Sequence, residues 1–168
     1  MIRKNIILLL LFAGFLGSCV KINVPYSANE VFENKFYMEW NGNPVIPATH
    51  NEIPVEFHVH DSVLSVIVKD FHFEMLIRLN HFKGPGTYYF ETFSDTTFLT
   101  ENTAVFKPHE GKLAYSHNDG RSFIRILEYR PEEKNPAISG IFNLYLSGDG
   151  ITADLEKGYF TWNAVYPY

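Results

Sequence analysis

The stretch VEFHVHDSVLSVIVKDFHFEMLIRLN, residues 55–80, decides the fold class. Its first segment, VEFHVH, alternates apolar with polar residues, and FHFEMLIRLN does the same apart from an interruption at Leu76. A period of two residues predicts strands that bury one face. Between these segments, Asp61-Ser62 breaks the pattern and VLSVIVK forms another run rich in β-branched residues. We therefore expect three consecutive strands with these side chains directed inward: Val55, Phe57, Val59, Phe71, Phe73, Met75, Ile77 and Leu79.

The chain on the C-terminal side of this stretch continues in the same manner. Gly84-Pro85-Gly86 predicts a turn before TYYFETF, and Asn118-Asp119-Gly120 predicts a hairpin between GKLAYS and RSFIRILEY. ISGIFNLYLSGDG and GYFTWNAVY add further strands, and no segment of ten or more residues has a helical period. About nine short strands predict an all-β fold, an antiparallel β-sandwich or a barrel-like sandwich, in a single domain over residues 35–168.

The first residues have the pattern of an export signal. Arg3 and Lys4 precede an uncharged apolar run over residues 6–16, which is shorter than the roughly 20 residues that a membrane span needs. A basic start, a short apolar run and small residues after it indicate a cleaved signal peptide, which we assign to residues 1–18.

Cys19 is the only cysteine of the chain and directly follows this signal. Leu16-Gly17-Ser18-Cys19 resembles the bacterial lipobox, in which the thiol receives a diacylglycerol and cleavage occurs before the cysteine. The resemblance implies lipidation at Cys19, with the membrane as partner, and residues 19–34 are predicted to be a tether. The alternative is an ordinary signal peptide with an incidental cysteine. Two or more acyl chains hold a protein on a bilayer stably, whereas one does so marginally.

The charge of the processed chain argues against nucleic acid as a partner. Removal of residues 1–18 takes away two of the 14 basic residues and none of the 19 acidic ones, so the formal net charge of −5 becomes −7. An acidic domain has no general attraction for phosphate backbones or anionic bilayers. The domain also has no cysteine left for a disulfide, so its stability must come from its core.

Two histidines form the most suggestive chemical pattern. His58 and His60 lie on the same face of one predicted strand, beside Asp61, and such pairs bind zinc or copper in other proteins. A metal site needs further ligands, and none has a diagnostic spacing here. The alternative is a solvated strand face, so we assign no metal site.

Other polar groupings are weaker. Asp149-Gly150 with Asp154 and Glu156 lacks the ligand spacing of a calcium hand and fits a hairpin turn better. His109-Glu110 and His117-Asn118-Asp119 could contribute to a catalytic dyad or triad, but no nucleophile lies in a recognisable motif. We predict no catalytic residue and no cofactor. The aromatic residues, 16% of the chain, are either core or a ligand-binding surface, and at least one of Tyr88 and Tyr89 must face outward or into a cleft.

The order of these segments resembles a known group of proteins. NKFYMEWNGNPVIPA is followed by L-x-V-I-V, F-x-M-L-I-R, GPGTYYF, AYSHNDG, RSFIRILEY, NPAISGIFNLYLSG and ITADLEKGYFTW. This order is similar to that of small lipoproteins of the Bacteroidota with an uncharacterised all-β domain. A Ser-Gly-x-Phe motif is matched by Ser139, Gly140 and Phe142, and a terminal I-T-x-G-x-F strand is loosely matched by Ile151-Thr152 and Lys157–Phe160. The resemblance covers about residues 35–164 and implies an envelope address without any assigned activity.

These observations lead to three functional hypotheses. The first is a lipid-anchored, non-enzymatic β module of the envelope that binds a ligand or protein partner, through exposed tyrosines or loops such as PEEKNP. The second is a periplasmic inhibitor or immunity-type lipoprotein. The third is a metal-dependent hydrolase that uses His58 and His60. In the Bacteroidota, surface-exported lipoproteins tend to have acidic residues after the cysteine, and residues 20–24, VKINV, have none. We therefore expect an outer-membrane lipoprotein that faces the periplasm.

Overall fold

A computed structural model describes residues 34–45, 55–109, 111–131, 137–163 and 166–167. The predicted signal peptide, Cys19, nearly all of the tether and most of the PEEKNP loop lie outside these residues. The described residues form one short helix, α1 (Asp95–Thr100), and twelve strands. The strands are β1 (Lys35–Trp40), β2 (Asn43–Val45), β3 (Val55–His60), β4 (Val63–Lys69), β5 (Phe73–Leu79), β6 (Gly86–Tyr89), β7 (Thr103–Pro108), β8 (Ala114–Tyr115), β9 (Phe123–Arg130), β10 (Ala137–Gly148), β11 (Ile151–Asn163) and β12 (Tyr166–Pro167).

All twelve strands belong to one sheet. Its order is β12-β3-β4-β5-β7-β8-β10-β11-β1-β2, and β9 pairs with both β10 and β6. Every pairing is antiparallel except that of β12 with β3. The all-β prediction is therefore confirmed, and the strands form a half-barrel.

Aromatic contacts across the interior show how the sheet curls. The Phe57 ring of β3 lies 5.1 Å from Phe160 and 5.9 Å from Trp162 of β11, measured between ring centroids. On the other side of the core, Trp40 of β1 packs edge-on against Phe106 of β7 at 4.9 Å. These strands are well separated in the sheet order, so their contacts require the sheet to fold over onto itself. The predicted inward residues of residues 55–80 are buried in this core, except Val59, which is half-buried, and Phe71, which is 78% exposed.

The tight hairpins and one bulge set the twist. Asn41-Gly42, Asp61-Ser62 and Asp149-Gly150 each have positive φ at both residues, as hairpin turns that match the right-handed twist of the strands require. Lys157, with φ of 51°, is the extra residue of a bulge in β11, where the register with both β1 and β10 shifts. Such a bulge bends its strand and increases the local curvature.

The predicted hairpin at Asn118-Asp119-Gly120 is wrong. β8, which precedes this segment, pairs with β7 and β10, whereas β9, which follows it, pairs with β6 and β10. The segment is a loop, in which the Asp119 carboxylate accepts hydrogen bonds from the backbone N–H groups of Arg121 and Ser122. The Asp-Gly signal does separate two strands, but each of these strands pairs with other partners.

Among the described residues, no helix has the length and apolar character needed to cross a bilayer.

Candidate ligand-binding groove

An apolar groove lies on the outward face of the half-barrel. Strand register places Ile67 of β4 opposite Leu76 of β5, Leu76 opposite Val105 of β7, and Val105 opposite Tyr115 of β8. These side chains face away from the core and are only half-buried. The cavity above them has a volume of about 410 Å³, within the range of small-molecule sites. We call it the outer groove; its floor and walls include Ile67, Leu76, Phe93, Phe98, Leu99, Val105 and Leu113.

Helix α1 and the residues before it form the wall of the outer groove. The helix begins with a capping box, in which the Ser94 hydroxyl accepts a hydrogen bond from the Thr97 N–H and the Thr97 hydroxyl accepts one from the Ser94 N–H. Phe93 stacks on Tyr115 at 4.8 Å and contacts Phe98. Leu99 remains 68% exposed beside the groove. A short helix with no buried residue therefore presents apolar surface to the groove and to solvent.

Asn80 holds the end of this wall. Its side chain is 5% exposed, and its amide donates hydrogen bonds to the carbonyl oxygens of Phe98, at 3.3 Å, and Glu101. These carbonyls are at the C-terminal end of α1, where the helix has no internal donors for them. Asn80 thus ties the helix to the end of β5.

Replacing Asn80 by alanine is expected to loosen α1 without unfolding the sheet. Loss of the two hydrogen bonds should lower the free energy of unfolding by about 1–2 kcal/mol and speed amide hydrogen exchange in residues 95–101. Thr100→Ala is the matched control, because its exposed hydroxyl bonds only within the helix, to Thr96 O, and surface changes stay within about 0.5 kcal/mol. Equal exchange rates in both variants would contradict the role assigned to Asn80.

A second, polar pocket adjoins the outer groove along the same strands. His58, Ser65, Arg78 and Thr103 lie opposite one another in the register of β3, β4, β5 and β7. The pocket has a volume of about 370 Å³. We call it the arginine pocket; it is lined by His58, His60, Asp61, Val63, Ser65 and Arg78.

The two predicted histidines share this pocket, and each lies beside an acidic residue. His58 Nε2 lies 2.9 Å from the Glu56 carboxylate, and His60 Nδ1 lies 3.1 Å from the Asp61 carboxylate. Among the described residues, no group of three or more His, Cys, Asp or Glu side chains converges closely enough to hold a metal ion. Each histidine is thus paired with its own neighbouring acid on the strand face.

Sequence reasoning missed a pair formed by His117 and Ser147. The Ser147 hydroxyl is 2.8 Å from His117 Nε2, which is the distance between a nucleophile and its base. The same nitrogen lies 3.0 Å from the Ser147 carbonyl oxygen, which can only accept. The tautomer with a proton on Nε2 lets this nitrogen donate to the Ser147 oxygens, and in that tautomer it is unable to remove the hydroxyl proton. We interpret this pair as a structural contact.

The other groupings singled out in the sequence are structural or lie apart. His109 stacks on Phe71 at 5.5 Å, whereas Glu110 lies outside the described residues. Asp149-Gly150 forms the hairpin turn between β10 and β11, as expected. Tyr89 faces outward and is 59% exposed, while the Tyr88 hydroxyl donates to the Gly84 carbonyl oxygen at 2.7 Å.

A network of tyrosines and carboxylates covers the outward face of β1, β10 and β11. Lys157 Nζ and the Tyr37 hydroxyl donate to the same oxygen of Glu39, at 2.8 and 3.1 Å. The hydrogen bond from Lys157 lowers the pKa of Glu39, with a smaller contribution from Tyr37. The Tyr145 hydroxyl donates to Glu156 at 2.7 Å, and this hydrogen bond, together with burial, raises the pKa of Tyr145. These groups satisfy one another, so the network needs no ligand to explain it.

Comparison of the chain with protein-family models, curated sequences and solved structures finds no significant match.

Proposed function

We propose that this chain is a lipid-anchored, non-enzymatic module of the bacterial envelope that binds a small apolar ligand in the outer groove. The observation that carries the proposal is the row formed by Ile67, Leu76 and Val105, which is apolar on the solvent-facing side of the sheet. Strands that cover only a core would place polar residues there. A cavity of about 410 Å³ over this row, with Leu99 exposed at its wall, supports a binding role.

The address of the protein is the second part of the proposal. The lipobox-like segment at Leu16–Cys19 supports lipidation, and the order of strand motifs supports a relationship to small Bacteroidota lipoproteins. We place the domain on the outer membrane, facing the periplasm. The immunity-type and metal-hydrolase alternatives have no feature of the described residues in their favour, and the pairing of His58 and His60 with separate acids argues against the latter.

Binding in the outer groove can be tested with an uncharged probe. N-phenyl-1-naphthylamine fluoresces in apolar sites, and we expect saturable enhancement with the purified domain. Leu76→Asp puts a carboxylate on the groove floor, where its desolvation opposes binding, so affinity should fall at least tenfold. Leu127→Asp is the matched control, because Leu127 is 46% exposed on β9 and does not line the groove.

Three results would contradict the proposal. They are the absence of saturable binding by the wild-type domain, an equal loss of affinity in the Leu76→Asp and Leu127→Asp variants, and catalytic turnover of a bound ligand. Circular dichroism of both variants would verify that each retains the β-sheet spectrum of the wild type.

A further inference from the structure

Arg78 differs from the other arginines of the described residues in having no polar partner. Arg121 pairs with Asp119, Arg125 donates to the Thr87 hydroxyl, and Arg130 pairs with Glu128. Arg78 Nε is buried without a hydrogen-bond partner in the protein. Unlike Arg121 and Arg130, Arg78 has no described carboxylate within ion-pair distance of its guanidinium. Its one described side-chain interaction is with the Phe98 ring, whose centroid lies 5.0 Å from Arg78 Cζ. A cation held against a ring without an anion leaves donors available for a ligand.

The position of Arg78 joins the two cavities. Leu76 of the outer groove and Arg78 of the arginine pocket are two residues apart on β5, so they face the same side about 7 Å apart. Ile67 and Ser65 have the same relationship on β4. An apolar chain in the groove would therefore end beside the guanidinium and the Ser65 hydroxyl.

The charges around the two cavities favour an anion at this end. At the opposite end of the groove, register places Glu74 directly between Lys69 and Lys107, and Asp95 also lines the cavity, so cations and anions balance. In the arginine pocket, the Asp61 carboxylate is already in contact with His60, and Glu56 is in contact with His58. Arg78 is the charge that these contacts leave without a counterion.

We infer that the ligand of the outer groove is an amphiphile with one anionic head, a carboxylate or a phosphate, on an alkyl chain. The head pairs with the Arg78 guanidinium, which matches planar or tetrahedral oxyanions in a bidentate manner, and the chain lies over Leu76 and Ile67. This inference rests on the proposed function, since it names the class of ligand for the same groove.

A fluorescent fatty acid and its methyl ester provide a test, because they differ only in head charge. Titration of the purified domain with cis-parinaric acid is expected to give at least tenfold tighter binding than titration with the methyl ester, as a charge-assisted hydrogen bond allows. Arg78→Gln should weaken acid binding about tenfold and leave ester binding unchanged. Arg78→Lys keeps the charge but loses the paired donors of the guanidinium. Its affinity for the acid should therefore lie between those of the wild type and Arg78→Gln. Arg125→Gln is the matched control, because Arg125 is exposed on β9, donates to the Thr87 hydroxyl and lines neither cavity, so both affinities should stay as they are. Competition by dodecanoate and dodecyl phosphate then distinguishes the two head groups.

The outcomes separate this inference from the proposal that it rests on. Equal wild-type affinities for the acid and the ester would overturn the inference and leave ligand binding in the groove intact. An equal loss of both affinities in Arg78→Gln, or loss of acid binding in Arg125→Gln, would overturn it as well. If neither probe binds, as would be expected for a groove that takes a peptide, the proposed function fails together with the inference.

Discussion

A Cys19→Ser variant is expected to leave the membrane fraction completely. A serine hydroxyl does not replace the thiol as the acceptor of diacylglycerol in the lipobox reaction that Leu16–Cys19 resembles, so no acyl chain would be attached. Each buried methylene contributes about 0.8 kcal/mol to membrane binding, so two or more chains make retention effectively all-or-none. The measurement is fractionation of expressing cells together with metabolic labelling by an alkyne fatty acid and the intact mass of the product.

The control for this variant keeps Cys19 and changes the residue before it, within the lipobox-like segment. Ser18→Ala retains a small residue before the cysteine, and the protein should remain labelled and membrane-bound. Charge offers no substitute for the lipid. Removal of residues 1–18 takes away Arg3 and Lys4 from 14 basic residues and leaves all 19 acidic ones, so the formal net charge is −7. Membrane retention of Cys19→Ser without label would show that another feature anchors the protein.

The core could be predicted from the sequence because its signal is local. Phe57, Phe73 and Leu79 alternate with polar residues, and burial of one strand face requires that alternation. The sequence signal of the outer groove is weaker than that of the core, because it consists of one apolar residue, Leu76, in an otherwise polar strand face. The register places Ile67 and Val105 on either side of Leu76, and only this pairing shows that the three side chains form one apolar surface. Register between distant strands depends on the whole sheet and is absent from any short window of sequence.

Helix α1 and the arginine pocket were beyond sequence reasoning for different reasons. The helix has six residues, fewer than two turns, so no hydrophobic period could reveal it; the signal available was the pair Ser94 and Thr97 of its capping box. In the sequence, Arg78 cannot be distinguished from the other polar residues on the outward face of its strand. Its lack of a carboxylate partner is a property of its surroundings across four strands, which the sequence does not show.

Two glycines on the β10–β11 hairpin leave room for the aromatic rings opposite them. Gly140 lies opposite Phe160, and Gly158 lies opposite Phe142, so each ring covers the glycine of the partner strand. A Cβ atom on Gly140 would lie 2.5 Å from Phe160 Cζ and 2.7 Å from the Arg125 carbonyl oxygen. For Gly158, the three nearest atoms are all in the Phe142 ring. A Cβ atom at Gly140 would therefore clash with a backbone atom as well as a ring, whereas at Gly158 its three nearest atoms belong to a ring alone.

Gly140→Ala is expected to lower the free energy of unfolding by about 3 kcal/mol, at the upper end of the usual cost of overpacking. This corresponds to a fall in melting temperature on the order of 10 °C for a domain of this size. The reason is that the Arg125 carbonyl belongs to β9, which pairs with β10, and can move only if the two strands separate. Thr152→Val on β11 is a control, because Thr152 is exposed and the change is nearly isosteric. Urea denaturation of each variant measures the difference.

Shrinking the opposing ring distinguishes the two glycines. In Gly158→Ala, adding Phe142→Leu should recover part of the loss, because the clash is with the ring alone, and the double variant should be more stable than the sum of the single changes predicts. In Gly140→Ala, adding Phe160→Leu should recover little, because the clash with the Arg125 carbonyl oxygen remains. A Gly140→Ala loss below about 1 kcal/mol, the low end of the overpacking range, or equal recovery in both double variants, would show that the strands adjust more easily than this packing implies. We expect more recovery of stability at Gly158 than at Gly140, because an aromatic side chain can change its rotamer or be replaced by a smaller one. A paired strand, by contrast, holds its carbonyl groups in place.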